Sequence, residues 1–314
     1  MIKLSHRTKF VFRPVHPYDF ELTIKKPAGW SWFTPYERWD KGTIRSGFWF
    51  AGLPIGVKAR SAGKSLIIDI YAGRKLSPEE TAKLKHLMSE SLGVSEDLRP
   101  FYKLMGRHPM LKGVAKHLYG MHEGWGMNIF SSLTLAILLQ MAPIKRSQQM
   151  WDCLIKNYGR QIGFDGQKIL LWPDEKTIAA CEPRALAAKC RLGYRAKFLV
   201  RMARQLVAGF PGVDELAALT PEAANDKLME LFGVGEYTAG FASPHPSFSL
   251  DVWSIKIFYP ILFGRHAPRQ DPRSCIAAAD REAVKRWGDW RGLVLVYVLN
   301  DLDYLAREFR LPIK

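Results

Sequence analysis

Only four cysteines occur in the 314 residues, Cys153, Cys181, Cys190 and Cys275, and no two of them form a C-x-x-C pair. That spacing speaks against a structural zinc site and against an iron–sulfur cluster. Four thiols so far apart in sequence suit a reducing compartment, each as a small buried hydrophobe. Acid is in deficit too, with 30 Asp and Glu against 46 Lys and Arg. No long apolar run occurs: the longest, Leu133 to Ala142, is broken by Thr134 and Gln140 and is too short to cross a bilayer. No basic leader with an apolar stretch and cleavage site opens the chain. The expectation is a protein that is not secreted and stays in the cytoplasm with the nucleoid, or in the nucleus.

What remains is the composition of a folded protein, 47% apolar and 12% aromatic, long enough for one large core or two modest ones. The formal charge of +16 points to a polyanionic partner, nucleic acid ahead of an anionic membrane. Solubility alone is the plainer explanation of such a charge.

The first third reads as β-rich. Val11 to Val15 and Phe20 to Ile24 are short alternating runs, and "GFWFAGLPIGVKA" and "SLIIDIYAG" are strand-like around the turn "RSAGK". A helix then opens on Ser77-Pro78-Glu79-Glu80, with Ser77 as N-cap and an apolar face of Leu84, Leu87, Met88 and Leu92. From about Asp97 the period becomes helical and is expected to stay so. Candidate helices cover 97–105, 109–119, 128–141, 145–158, 174–181, 194–208, 221–231, 236–243, 251–262, 271–287 and 289–307. Loop signals fall at the Gly-Trp-Gly of 124–126, at Gly163, at 209–212 and at 268–272. The fold class is therefore α+β, with a small antiparallel sheet and helix in a domain 1–96 and an all-helical region 97–314.

"LFGVGEYTAG" at 231–240, followed by "LDVW" at 250–253, carries the functional question. A dinucleotide fingerprint would need a strand before Gly233 and a glycine where Thr238 stands; "PEAANDKLMELF" has helix composition instead. The pattern left is helix, tight Gly233-Val234-Gly235 turn, helix. Such a hairpin offers backbone amides to a phosphate and grips DNA without reading bases. Taken alone, it is more readily an ordinary helix–helix turn. "SAGKS" at 61–65 fails as a phosphate loop because position 58 is Lys. Lys197, Arg201 and Arg204 lie at i, i+4 and i+7, a cationic face that is either solvated or set against phosphates.

Together these segments resemble the helix-hairpin-helix DNA glycosylases, nearest to the 3-methyladenine DNA glycosylase II type. "LFGVGEYTAGF" with "LDVW" resembles the family's hairpin and essential aspartate; "LGYRAKFL" and "FSSLTLAILLQ" resemble two further helices, and "GWSWF" with the early strands resembles the N-terminal domain. The resemblance implies a monofunctional glycosylase of base excision repair, acting as a monomer on duplex DNA that contains a damaged, alkylated base. Two helical subdomains would flank its active-site cleft.

Asp251 would stabilise the sugar cation that forms as the base departs, or orient water; an N-cap is its plainer role. The resemblance puts Gln140 and Met141 at the wedge that fills the vacated stack, against a buried core Met as the alternative. Tyr36, Tyr237 and Phe241 would line the base pocket, with Leu299 where the family's late Trp stands. Gly233, Val234, Gly235, Tyr194, Arg195, Lys197, Arg201 and Arg204 would hold phosphates. No cofactor is expected; a monovalent cation on the hairpin backbone is the one metal considered. Tyr237 occupies the position of the lyase lysine, and a Tyr forms no imine. Lys256 reads as a surface or phosphate-binding residue. Hypoxanthine or an oxidised purine as substrate, and a non-catalytic DNA-binding module, stay open as alternatives.

Overall fold

The computed structural model describes residues 1–123, 127–245, 247–268 and 271–311. The expected Gly-Trp-Gly loop at 124–126 and part of the loop at 268–272 lie outside the described residues. The chain forms two compact units, 1–14 with 31–95 and 124–244, and 15–30 with 96–123 and 245–311. The boundary expected after residue 96 falls within one residue of a crossing between units, but the sheet shares its unit with the helices between 129 and 242.

In the first unit, β1 (Ile2–Lys3), β2 (His6–Phe12), β3 (Arg38–Asp40), β4 (Thr43–Phe50), β5 (Leu53–Ala62) and β6 (Ser65–Ala72) supply the N-terminal strands. Five of them form an antiparallel sheet in the order β2-β6-β5-β4-β3. Ala51 and Gly52, both at positive φ, turn β4 into β5, so "GFWFAGLPI" is a hairpin rather than one strand. Ser77 caps the helix Pro78–Ser91 in a reciprocal capping box with Glu80, and Leu84, Leu87, Met88 and Leu92 are buried as expected.

Two expectations fail here. Phe20–Ile24 is a short helix, not a strand, because Asp19 accepts a hydrogen bond from Leu22 N and nucleates a turn. The run from Asp97 is not helical throughout either. A hairpin of β7 (Gln161–Phe164) and β8 (Gln167–Leu170) interrupts it, and β1 pairs in parallel with β7. These strands are too short to show a period, and their turn is Asp165-Gly166, both at positive φ. Gly163, expected in a loop, lies in β7.

The hairpin is seated by glycine. A Cβ on Gly56 would lie 2.5 Å from the Phe164 ring, and one on Gly47 2.7 Å from Ile162. Around this seat Leu4, Trp49, Ile162, Phe164, Ile169 and Leu171 form a small core of their own.

The cysteine expectation is corrected as well. Cys153, on the helix Ile144–Tyr158, and Cys190, the last residue of Pro183–Cys190, form a disulfide across 37 residues of sequence, leaving Cys181 and Cys275 free. Tertiary folding brings together two thiols whose sequence separation suggested none.

The second unit is a helical core of Phe101, Leu111, Phe258, Val294 and Tyr297, among others. The expected helix 289–307 is broken at Asp301 into Arg291–Asn300 and Leu302–Phe309. Among the described residues no helix is long and apolar enough to cross a membrane.

Candidate functional site

In the first unit, the helices Pro221–Met229 and Glu236–Ala242 flank the turn 231–235, so a helix, not a strand, precedes Gly233. Gly233 has φ +84°, and a Cβ there would meet the Phe198 ring at 2.6 Å. Backbone conformation and packing both demand glycine. Gly235 meets neither demand; its Cβ position faces open space at the mouth of the second helix. The N-cap, Gly235, makes no side-chain cap bond, and a helix start of this kind suits an anion. Val234 is buried and anchors the turn.

The helix Arg195–Val207 braces this hairpin. Gln205 accepts from Phe232 N at 2.7 Å and donates to Glu230 O, while the Arg201 guanidinium lies 4.1 Å from the centre of the Phe232 ring. Lys197 stands 6.0 Å from the same ring. Arg204 turns away and donates to the carbonyl of Ala179, the last residue of the helix Glu175–Ala179, and to that of Cys181 beyond it. The expected three-cation stripe therefore divides, with two members beside the hairpin and one capping a neighbouring helix.

The helix Ile129–Leu139 stops at Gln140. Met141 follows at φ +47° with 93% of its surface exposed, so it is not a core methionine. Gln140 Nε2 donates to Thr238 Oγ1 at 2.9 Å and to Gly233 O at 3.3 Å. The Gln140 carbonyl accepts from the Arg195 guanidinium, which also lies 4.7 Å from the centre of the Tyr194 ring. The hairpin, Gln140 with Met141, and the Tyr194–Arg201 segment thus come together in one unit. Tyr237 and Phe241 sit one turn apart on the second hairpin helix, ring centres 6.5 Å apart. Tyr36 is half-buried and donates to Asp152 Oδ1 at 2.8 Å; burial, then that carboxylate, pushes its phenol up to about 12, so the hydroxyl keeps its proton.

Asp251 belongs to the second unit, ahead of a turn at 252–254 and the helix Ile255–Phe263, which starts later than expected. Its Oδ1 accepts from Trp253 N at 3.1 Å and from Ser254 N and Oγ at 2.7 Å each. Ser254 Oγ also serves Asp251 N, at 2.7 Å. Capping is therefore real, and it falls on one oxygen, leaving Oδ2 outside these bonds. Val252 and Trp253 beside it are 56% and 43% exposed. Leu299 is partly buried against the core of its unit, as is Trp290, and Lys256 is exposed.

Among the described residues no group of three or more His, Cys, Asp or Glu is placed to hold a metal. In the hairpin, Leu231 O accepts from Val234 N and Gly233 O from Gln140. Each carbonyl keeps a second lone pair, so a monovalent cation fits the loop chemically, and no step below uses one.

The bracing by Phe198, Gln205 and Gln140 was not read from the sequence. These side chains act on backbone atoms and rings of distant segments, for which helical period carries no signal.

No family model matches the sequence. It is 23% identical over 295 residues to DNA-3-methyladenine glycosylase 2 of Escherichia coli (strain K12), covering 89% of this chain and 96% of that one. It is 22% identical over 225 residues to the DNA-3-methyladenine glycosylase of Bacillus subtilis (strain 168), covering 70% and 71%. Among solved structures, the 3-methyladenine DNA-glycosylase from Archaeoglobus fulgidus superposes with a TM-score of 0.69 at 17% identity, over 96% of this chain and 99% of that one. The 8-oxoguanine glycosylase/lyase of Clostridium acetobutylicum, in complex with double-stranded DNA, gives 0.68 at 18% identity, over 98% and 99%. The two structural likenesses establish the fold.

Proposed function

We propose that this chain, which has the fold of the helix-hairpin-helix DNA glycosylases, is a base excision repair glycosylase. It hydrolyses the N-glycosidic bond of an alkylated base flipped from duplex DNA. The observation that carries this reading is Met141, an apolar side chain held almost fully in solvent and bonded through Gln140 to an uncapped glycine hairpin. A single exposed apolar side chain is ordinary on a protein surface; what singles out Met141 is that Gln140, the residue before it, is tied to the glycine turn. A duplex that has lost one base from its stack offers a slot of that size and chemistry.

In this reading the hairpin amides hold backbone phosphate, while Lys197 and Arg201 add charge beside them. Tyr237 and Phe241 offer aromatic faces to an electron-poor, positively charged base. Asp251 supplies the anion. As the bond to the base lengthens, positive charge grows on the sugar, and a carboxylate fixed in place stabilises it without reorganising. Oδ1 is held by the turn, and the role assigned to Oδ2 is to accept a proton from the attacking water as the new C–O bond forms.

No amine stands at position 237, so the product is an abasic site in an unbroken strand, and the enzyme works as a monomer in the compartment that holds the DNA. The test is base release from a panel of duplexes, each with one defined lesion, with borohydride added to parallel samples. Release of an alkylated base without a trapped adduct is expected. No release from any duplex refutes the glycosylase reading; an adduct forming as fast as base loss refutes only the monofunctional one.

A further inference from the structure

Met141 sits where its backbone and its side chain are both unfavourable. A left-handed φ of +47° just past a helix end is glycine's position, and a thioether in water has lost its packing. Such a residue keeps its pose only when neighbours over-determine it. Two neighbours do. The Arg195 guanidinium donates to the carbonyl of Gln140, the atom group joined directly to Met141 N. The Gln140 side chain reaches in the opposite sense, to Gly233 O in the hairpin and to the buried Thr238 hydroxyl in the helix after it.

We propose that Arg195 and Gln140 form a latch that sets the wedge. Both are positioning residues acting through Met141, and neither is itself the phosphate ligand or the intercalating side chain. The assignment rests on the glycosylase reading for its consequence, though not for its geometry. Arg195 is poorly disposed to serve phosphate: its Nε is buried without a partner, and its guanidinium is engaged by a carbonyl and the Tyr194 ring. Gln140 is poorly disposed to enter a base stack, since both of its bonds hold it against the hairpin. Because the Gly233 carbonyl belongs to the phosphate-gripping turn, the latch ties backbone capture to wedge presentation. The hairpin cannot shift on DNA without moving the atom that Gln140 holds.

The test uses the full chain and the variants Arg195→Ala, Arg195→Lys, Met141→Ala and the Arg195→Ala/Met141→Ala double. Hydrogen exchange of the free protein comes first. Amides at 141–142 should exchange faster in Arg195→Ala, with little change in the remote strands β4 to β6, and unchanged exchange at 141–142 overturns the latch whatever the protein's activity. Single-turnover base release then reads the functional arm on the lesion that wild type excises fastest. Arg195→Ala should lose roughly tenfold, the scale of a charged hydrogen bond, and Arg195→Lys less. In the Met141→Ala background the same substitution should cost almost nothing further; independent, multiplying losses overturn the proposal. Binding to undamaged duplex should keep its salt dependence in Arg195→Ala. A slope lower by about one would make Arg195 a phosphate contact and also overturn it. If wild type releases no base at all, the glycosylase reading fails while the exchange measurement still decides the latch.

Discussion

At Asp251 the bonds that hold the turn end on Oδ1, so an asparagine can keep them and an alanine cannot. Asp251→Asn should therefore fold with stability within about 0.5 kcal/mol of wild type, because Asn caps as well as Asp. Base release should nonetheless fall about a hundredfold or more with the loss of the anion. Asp251→Ala should lose the same activity and about 1 kcal/mol of stability besides. Chemical denaturation and single-turnover release on both variants separate cap from catalyst; an active Asp251→Asn would leave only the cap.

Glu37, next to Tyr36 in the chain, makes a second residue-level case. Burial pushes its carboxyl up to about 7, against the opposing hydrogen bonds from Phe33 N and Ser46 Oγ. The folded state thus keeps a proton that the unfolded chain releases near 4.5. Stability from this group is full below that pH, declines as pH rises to about 7, and is flat above. Glu37→Gln keeps an acceptor oxygen without the charge. It should be more stable than wild type at pH 8, by about 1–3 kcal/mol, and the two should converge toward pH 4. Urea midpoints across that range check the sign.

Among the elements, the helix Arg195–Val207 shows what a cationic face does once it is packed. Lys197 and Arg201 lie beside the hairpin's Phe232, while Arg204 closes the helix Glu175–Ala179. Substituting Lys197 or Arg201 by alanine should each lower the slope of log affinity against log salt by about one. Arg204→Ala should leave the slope alone and cost stability instead. Fluorescence titrations at several salt concentrations distinguish them, and an equal effect of all three would return Arg204 to the interface. The spacing at i, i+4 and i+7 made the face legible in the sequence, but not which carbonyls or rings it would meet.

The same limit explains the other elements. Helices with a cap and an apolar stripe, such as Pro78–Ser91, could be read almost to the residue. Gly233 could be read because one backbone position requires glycine. The pair β7 and β8 could not, since four-residue strands carry no period and their stability comes from the glycine seat on β4 and β5. Phe20–Ile24 misled because its alternation is genuine while the Asp19 cap overrides it. Cys153 and Cys190 misled because a disulfide depends on distance in space.

For the molecule as a whole, the interleaving of the two units governs how it can be divided. A fragment 97–314 would take β7 and β8 away from Gly47, Gly56, Leu4 and Trp49, exposing Ile162, Phe164, Ile169 and Leu171. It should be insoluble or only loosely folded when expressed alone, and co-expression with 1–96 should recover soluble complex; an autonomously folded, cooperatively melting 97–314 would contradict this. The order of synthesis meets the same constraint. Ile2 and Lys3 are synthesised well before Ile162 and Gly163, with which they pair, and the stretch 15–30 packs in a unit completed only after residue 245. A nascent chain must carry a glycine-faced sheet with its apolar seat open until β7 and β8 have been made, which is when a holding chaperone has most to bind. Protease resistance around Trp49 should appear in arrested chains only once Leu171 has cleared the exit tunnel.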